Sequence, residues 1–368
     1  MRTPTFFLSR RAARGFTLIE LLIAMVLSMV VIGAVIAVFL ANRQSYRSTE
    51  GLSRVQENVR LAFEQMARDM RAAGSVPCGA RIDIANGDSD APVFNVLTNN
   101  AGVWWEDWTR ALRGYETGTA FPGATVAVPQ AADIGAGSDA LQTISGSGSG
   151  MSVASHDATA HAFTLRAAGH GIANGDIAMV CDYNQAAIFQ ITNVAGLVLS
   201  HAATGTAPGN CSSRLGIGLT TTWCDSDTNT PARSFDANSL LVHVAANGWY
   251  LGCNGRGATN GSADCTQDAG RSLYRTTLQS NGAGGVSVVP EEIIDGVRGL
   301  KIQYLTNAAT TYVDASAVTD WASVVSAKLQ ITLSTLDTGL NTNTAASTNA
   351  SRVTRDLNYV VNLRNRVL

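Results

Sequence analysis

Between Phe16 and Leu40 the chain carries a single charged side chain, Glu20, in an otherwise apolar run. At about 1.5 Å of helical rise per residue the run spans roughly 37 Å, enough to cross the hydrocarbon core of a bilayer. The residues before it hold Arg2, Arg10, Arg11 and Arg14 and no acid. That asymmetry places the N-terminus in the cytoplasm and everything after Leu40 across the membrane. The run is longer than an ordinary signal-peptide core, and no small-residue A-x-A cleavage site follows it. A carboxylate inside such a helix costs on the order of 2.5–3.5 kcal/mol on insertion scales and usually marks a function. Glu20 is the residue the bland reading of a membrane anchor leaves unexplained.

The body beyond the run is long enough, in a chain of 368 residues, to bury a real core. Its charge is sparse, 15% of residues, and Lys301 and Lys328 are the only lysines. The formal net charge of −2 falls further without the four leader arginines, which argues against general nucleic-acid binding. Six cysteines, Cys78, Cys181, Cys211, Cys224, Cys253 and Cys265, form no CxxC pair. An even count beyond an export signal favours disulfides in an oxidising compartment. Cys211–Cys224 and Cys253–Cys265 would each close a short Gly/Ser/Asn-rich loop, leaving Cys78 and Cys181 for each other. Other connectivities, and buried free thiols, stay open.

After Leu40, Leu52, Val55, Val59, Phe63, Met66 and Met70 recur at three- and four-residue intervals, while Arg54, Glu57, Arg60, Glu64, Arg68 and Asp69 fill other faces. This predicts an amphipathic helix over 41–74 whose stripe lies on a folded domain, with Gly51 as a place to bend and Gly74 and Pro77 as terminators. Beyond it the chain reads as β-rich. "AFTLRAAGHGI", "DIAMVCDY", "AAIFQITNV", "SLLVHVAA" and "GWYLGC" are short runs between Gly/Asn/Asp breaks, and "GSGSG" at 146–150 reads as a flexible loop. "GLKIQYL" and "SAKLQITLST" alternate as antiparallel strands with one wet face, and "TRDLNYVVNLRNRVL" closes the chain as a last strand.

Enzyme chemistry finds little support. His156, His161, His170, His201 and His243 show no HExxH spacing, and no GxSxG elbow or Gly-Lys phosphate loop occurs. "GAGSDA" leads into a strand, not into the helix a dinucleotide fingerprint requires. Asp225, Asp227 and Asp236, or Asp83, Asp88 and Asp90, read as solvated loop acids, with Ca²⁺ binding as the alternative. No cofactor and no metal centre is expected. Trp104, Trp105 and Trp108 read as packing residues, with an exposed adhesive patch as the alternative.

"RGFTLIE" resembles the prepilin processing site of type IV pilins and type II secretion pseudopilins, matching it at Gly15, Phe16, Thr17, Leu18 and Glu20. The resemblance implies that prepilin peptidase cuts between Gly15 and Phe16 on the cytoplasmic side and N-methylates Phe16, with Arg10, Arg11 and Arg14 as leader charge. It also implies that Glu20 acts in assembly, by meeting the Phe16 ammonium of a neighbouring subunit. Several body segments are similar to the minor pilin family PilW: "GSDALQ", "GDIAMVCDYNQAAIFQITNV", "SLYR", "EEIIDGVRGLKIQYL", "DWASVVSAKLQITL" and "LRNR". The implied fold is α+β and type IV pilin-like: a long N-terminal helix packed on an antiparallel β-rich domain. The implied division is a leader at 1–15, a membrane or filament-core half of the helix at 16–40, an amphipathic half at 41–74 and a periplasmic domain at 75–368. The implied role is priming pilus assembly in the inner membrane and staying near the pilus tip. Expected partners are other minor pilins, the major pilin, the inner-membrane assembly platform and, as a further candidate, a tip adhesin. A J-type pseudopilin of type II secretion is the rival, ahead of a surface adhesin module or a membrane-anchored exported enzyme.

Overall fold

The computed structural model describes residues 17–78, 93–98, 103–126, 128, 138–182, 184–204, 208–216, 227–228, 230–256, 270–307, 309–335 and 352–363. The chain divides into two compact units, residues 1–52 and 53–368.

One helix, α1 (Leu18–Ala72), contributes to both units. In the first unit its apolar side chains from Leu18 to Leu40 are exposed, and this stretch is long and apolar enough to cross a membrane. Its backbone bonds are satisfied within the helix, and Ser28 donates its hydroxyl to Ala24 O at 2.7 Å, so a polar side chain in the run also finds a partner there. Gly51 lies inside the helix and does not end it.

In the second unit the helix buries Val59, Ala62, Met66, Ala67 and Met70; of the expected stripe, Val59, Met66 and Met70 are buried and Val55 and Phe63 pack partly buried against the same core. The helix ends at Ala72, and two residues on Gly74 takes a φ of +73° that suits glycine and donates its N–H to Ile144 O at 2.8 Å.

Fifteen strands follow among the described residues. They are β1 (Val93–Asn95), β2 (Leu112–Tyr115), β3 (Ala140–Asp157), β4 (Ala162–Leu165), β5 (Ile177–Cys181), β6 (Ala186–Gln190), β7 (Asn193–Ala195) and β8 (Val198–Ser200). The rest are β9 (Leu240–Cys253), β10 (Arg271–Ser280), β11 (Val286–Asp295), β12 (Val297–Thr306), β13 (Val313–Asp314), β14 (Val324–Ser334) and β15 (Thr354–Asn362). The larger sheet runs β1-β6-β5-β9-β3-β4-β8-β7, with β10 bridging β9 to β11 and β2 on β3. All its pairings are antiparallel except β1–β6. The smaller sheet, β13-β12-β14-β15, is antiparallel throughout. Together these elements make an α+β body of the pilin-like kind.

The α1 stripe packs into one core with Trp249, Leu251 and Leu273 of the larger sheet and Ile302, Tyr304, Leu329, Ile331 and Val361 of the smaller. In β14 the residues buried on that core, Leu329 and Ile331, alternate with half-exposed Lys328 and Gln330, as the sequence pattern requires.

Three sequence expectations are corrected. "GSGSG" is not a loop but part of β3, which crosses it through a register shift between Ser147 and Met151. Gly148 and Gly150 sit there at φ of +97° and +68°, so the glycines make a bulge within the strand instead of ending it. "SLLVHVAA" and "GWYLGC" are not separate strands: β9 runs unbroken through Asn247 and Gly248. A Cβ at position 248 would run into the Phe121 ring and the Thr276 hydroxyl, so this glycine admits a neighbour and is no break. In "AFTLRAAGHGI" only Ala162–Leu165 is strand.

Candidate functional site

The first turn of α1 positions Glu20. Thr17 stands just before the helix and Glu20 is its third residue, the spacing of a capping box. Thr17 N donates to Glu20 Oε2 at 3.0 Å, Thr17 Oγ1 donates to the same oxygen at 3.0 Å, and Glu20 N donates to Thr17 Oγ1 at 3.3 Å. The first intrahelical bond, Leu21 N to Thr17 O, is 3.2 Å. In the single chain the carboxylate thus closes its own helix, satisfying a backbone N–H that hydrocarbon could not satisfy. The T-x-x-E signal was present in "TLIE" and carries this geometry without any resemblance. Gly15, Phe16, Arg10, Arg11 and Arg14 lie outside the described residues.

Of the cysteines, Cys78 and Cys181 are bonded across 103 residues of sequence, with Cα atoms 5.9 Å apart. Cys211 and Cys253 are also disulfide-bonded, while Cys224 and Cys265 lie outside the described residues.

Trp104 and Trp108 are buried, at 7% and 5% exposure, and Trp105 is half-buried, so the three indoles present no open aromatic patch. They pack in a cluster with Tyr115, Phe121 and Tyr250, Phe121 standing 5.4 Å from Trp104 and 5.8 Å from Tyr250 between ring centroids.

The fold brings together three histidines that their spacing kept apart. His156 Nε2 lies 3.0 Å from His201 Nε2, and the His161 and His201 rings are 6.0 Å apart. Phe235 N donates to His156 Nδ1 at 3.1 Å, so Nδ1 is bare and Nε2 carries the hydrogen that points at His201. Both ring nitrogens of His156 are thus engaged, Nδ1 as acceptor from Phe235 N and Nε2 with His201. Burial among Phe163, Phe189 and Phe235 drives His156 down to about 4 and His201 to about 3. Among the described residues no group of three His, Cys, Asp or Glu side chains is arranged to hold a metal. Asp227 spends its carboxylate on Ser212 and Ser213. Asp83, Asp88, Asp90 and Asp225 lie outside the described residues.

Asp69, which the pattern assigned to a polar face, is buried. Its Oδ2 accepts from Trp249 Nε1 at 3.0 Å and from Arg275 Nε at 3.0 Å, and its Oδ1 from Arg275 Nη2 at 3.1 Å. Burial raises its carboxyl above the usual range, and Arg275 pulls it back only in part.

An apolar helix whose second half packs on antiparallel sheets, headed by a capped glutamate, is consistent with an α+β pilin-like fold. Residues 10–36 match the family model for the prokaryotic N-terminal methylation motif. Residues 259–365, which span β10 to β15, match that for Type IV Pilus-assembly protein W, PilW. The two matches together support a PilW-like minor pilin of the type IV pilus. The second of these is a family of pilus-assembly proteins. A curated relative, the pilin-like protein PilA3 of Thermus thermophilus, is 34% identical over 62 residues, 17% of this chain and 27% of its own length. The match thus spans little more than a quarter of that relative. No solved structure matches the chain.

Proposed function

We propose that this chain is a structural minor subunit of the type IV pilus that primes assembly and stays near the tip. Prepilin peptidase cuts it between Gly15 and Phe16 and methylates Phe16. Residues 16–40 then hold it in the inner membrane with residues 75–368 in the periplasm, until the assembly platform moves it into a filament with the major pilin and other minor pilins, a tip adhesin being a further candidate partner. The observation that carries this reading is the coincidence, in one chain, of a "GFTLIE" signal at the head of an exposed apolar helix with a PilW match over the C-terminal sheet region.

Assembly asks Glu20 to change partners. In the stored subunit the Thr17 cap holds it. In a filament a neighbour's Phe16 ammonium offers a full charge in a low-dielectric setting, which outweighs a cap worth about 1 kcal/mol. Such head-to-tail contacts between like subunits build open helical assemblies.

Deletion of the gene should abolish twitching and surface pili while leaving type II secretion intact. The reverse pattern would overturn the pilus reading in favour of a pseudopilin. Glu20→Gln should leave cleavage at Gly15 normal, by intact mass, yet reduce recovery of the subunit in sheared pili at least tenfold.

A further inference from the structure

Directly past the apolar run, α1 carries Arg43, Tyr46 and Arg47, spaced i, i+3 and i+4 and so sharing one face of an unbroken helix. All three are exposed, Tyr46 at 71%. Arg43 and Arg47 have no ion-pair partner among the described residues, whereas Arg60 further along pairs with Glu64 at 3.0 Å. The first acid after the run is Glu50. These residues lie beyond the stretch matched by the methylation motif.

Depth fixes what this face meets. From Leu18 to Leu40 the helix rises roughly 34 Å, against a hydrocarbon core of about 30 Å. Arg43 stands about 4.5 Å beyond Leu40 and Arg47 about 10 Å beyond it. A headgroup layer is about 5–7 Å thick, and arginine stems reach several ångströms along the helix, so both guanidinium groups can sit among phosphates. A tyrosine between them suits the same interface.

The two arginines also stand on the side the positive-inside rule disfavours. In the precursor, Arg2, Arg10, Arg11 and Arg14 outnumber them. A cut between Gly15 and Phe16 removes all four, leaving the Phe16 ammonium as the one cation at the near end against the two arginines at the far end. We propose that in the processed subunit the Arg43–Tyr46–Arg47 face binds the phosphate headgroups of anionic phospholipid in the far leaflet. This contact replaces the leader as the electrostatic hold on the stored helix, and assembly must release it. The proposal rests on the membrane-stored reading above.

The test uses the full mature chain, beginning at Phe16, in vesicles of phosphatidylethanolamine and phosphatidylglycerol at about 3:1. After mild detergent extraction, the lipids retained by the protein are counted by mass spectrometry. Phosphatidylglycerol should be enriched about three- to tenfold over the bulk ratio, since each basic residue near an anionic surface is worth about fivefold before screening. R43Q/R47Q should return to the bulk ratio, and R60Q should keep the enrichment. A bulk ratio in the wild type, or enrichment that survives R43Q/R47Q, overturns the proposal. A bulk ratio combined with loss of R43Q/R47Q from pili overturns it in favour of acids on a neighbouring subunit. An alkaline wash separates the two layers of inference. A chain that leaves the vesicles defeats the membrane-stored reading, whereas one that stays with bulk lipid defeats only the headgroup contact.

Discussion

At the scale of single residues, the His156–His201 pair ties stability to pH. Both rings are neutral in the folded chain, held at about 4 and about 3 by burial, against an ordinary value near 6.5 in the unfolded chain. As pH falls below 6.5 the unfolded state takes up protons that the folded state refuses. Stability is therefore fully present above 6.5 and is lost as pH falls toward 3. The groups facing the pair are His161, whose charge would oppose protonation, and Asp157, whose charge favours it for His156. Asp157 is itself held below the usual carboxylate range by the Ala160 and Thr159 N–H groups and so stays ionised through most of this window. Two such rings make the slope of unfolding free energy steeper by up to about 2.7 kcal/mol per pH unit, the pair titrating as a unit. His201→Phe should cost stability at pH 7, because His156 Nε2–H loses its acceptor. It should also flatten the slope between pH 5.5 and 4.5 by about 1.4 kcal/mol per unit. Urea unfolding at stepped pH measures both, and a slope equal to wild type would sink the assignment.

At the scale of elements, the joint between α1 and the sheets depends on a charge buried for one purpose. Asp69 faces Trp249 of β9 and Arg275 of β10, so a single carboxylate fixes the rotation of the helix on two strands. Asp69→Ala would leave Arg275, a quarter exposed, and the Trp249 N–H without their shared acceptor. Breaking a buried pair from one side costs about 3–5 kcal/mol, and the exposure of Arg275 trims this to roughly 2–4. The urea midpoint of the chain in detergent should fall accordingly, and D69A/R275M should recover part of the loss. A change within about 0.5 kcal/mol would show that the stripe alone seats the helix. This joint also marks where sequence reading stops. The stripe Val59, Met66 and Met70 was legible because its period belongs to the helix itself. The alternation in β12 and β14 was legible for the same reason, and the prepilin signal because it is contiguous. Asp69 was not legible, since its partners lie 180 and 206 residues away and nothing local separates a buried acid from a solvated one. Gly248 misled in the same way: its lack of a side chain is demanded by Phe121, a residue from another segment.

At the scale of the whole molecule, any pull on the N-terminal half of α1 enters the body through residues 53–78, since the chain offers no other covalent route. The segment just past the helix is built to receive it. Gly74 N donates to Ile144 O at 2.8 Å, Gly146 N donates to Ser75 O at 3.0 Å, and Cys78 is bonded to Cys181 at the end of β5. These links join the end of α1 to β3 and β5 in the larger sheet, while the α1 stripe from Val59 to Met70 packs in a core shared with the smaller. The disulfide closes a loop of 103 residues, for which chain entropy gives an upper figure of about 4.7 kcal/mol, and measured losses run at roughly 2–4. Its removal should therefore weaken one attachment and spare the other. In C78A/C181A the unfolding free energy should fall by about 2–4 kcal/mol. Amide exchange should quicken in residues 72–76 and in β5 and remain slow in β12, β14 and β15. The link matters only in an oxidising compartment, so the same variant should lose more subunit to proteolysis in the envelope than in the reduced cytoplasm. Uniform acceleration of exchange across both sheets would mean that the body opens as one cooperative unit and that the bond is not a local clasp.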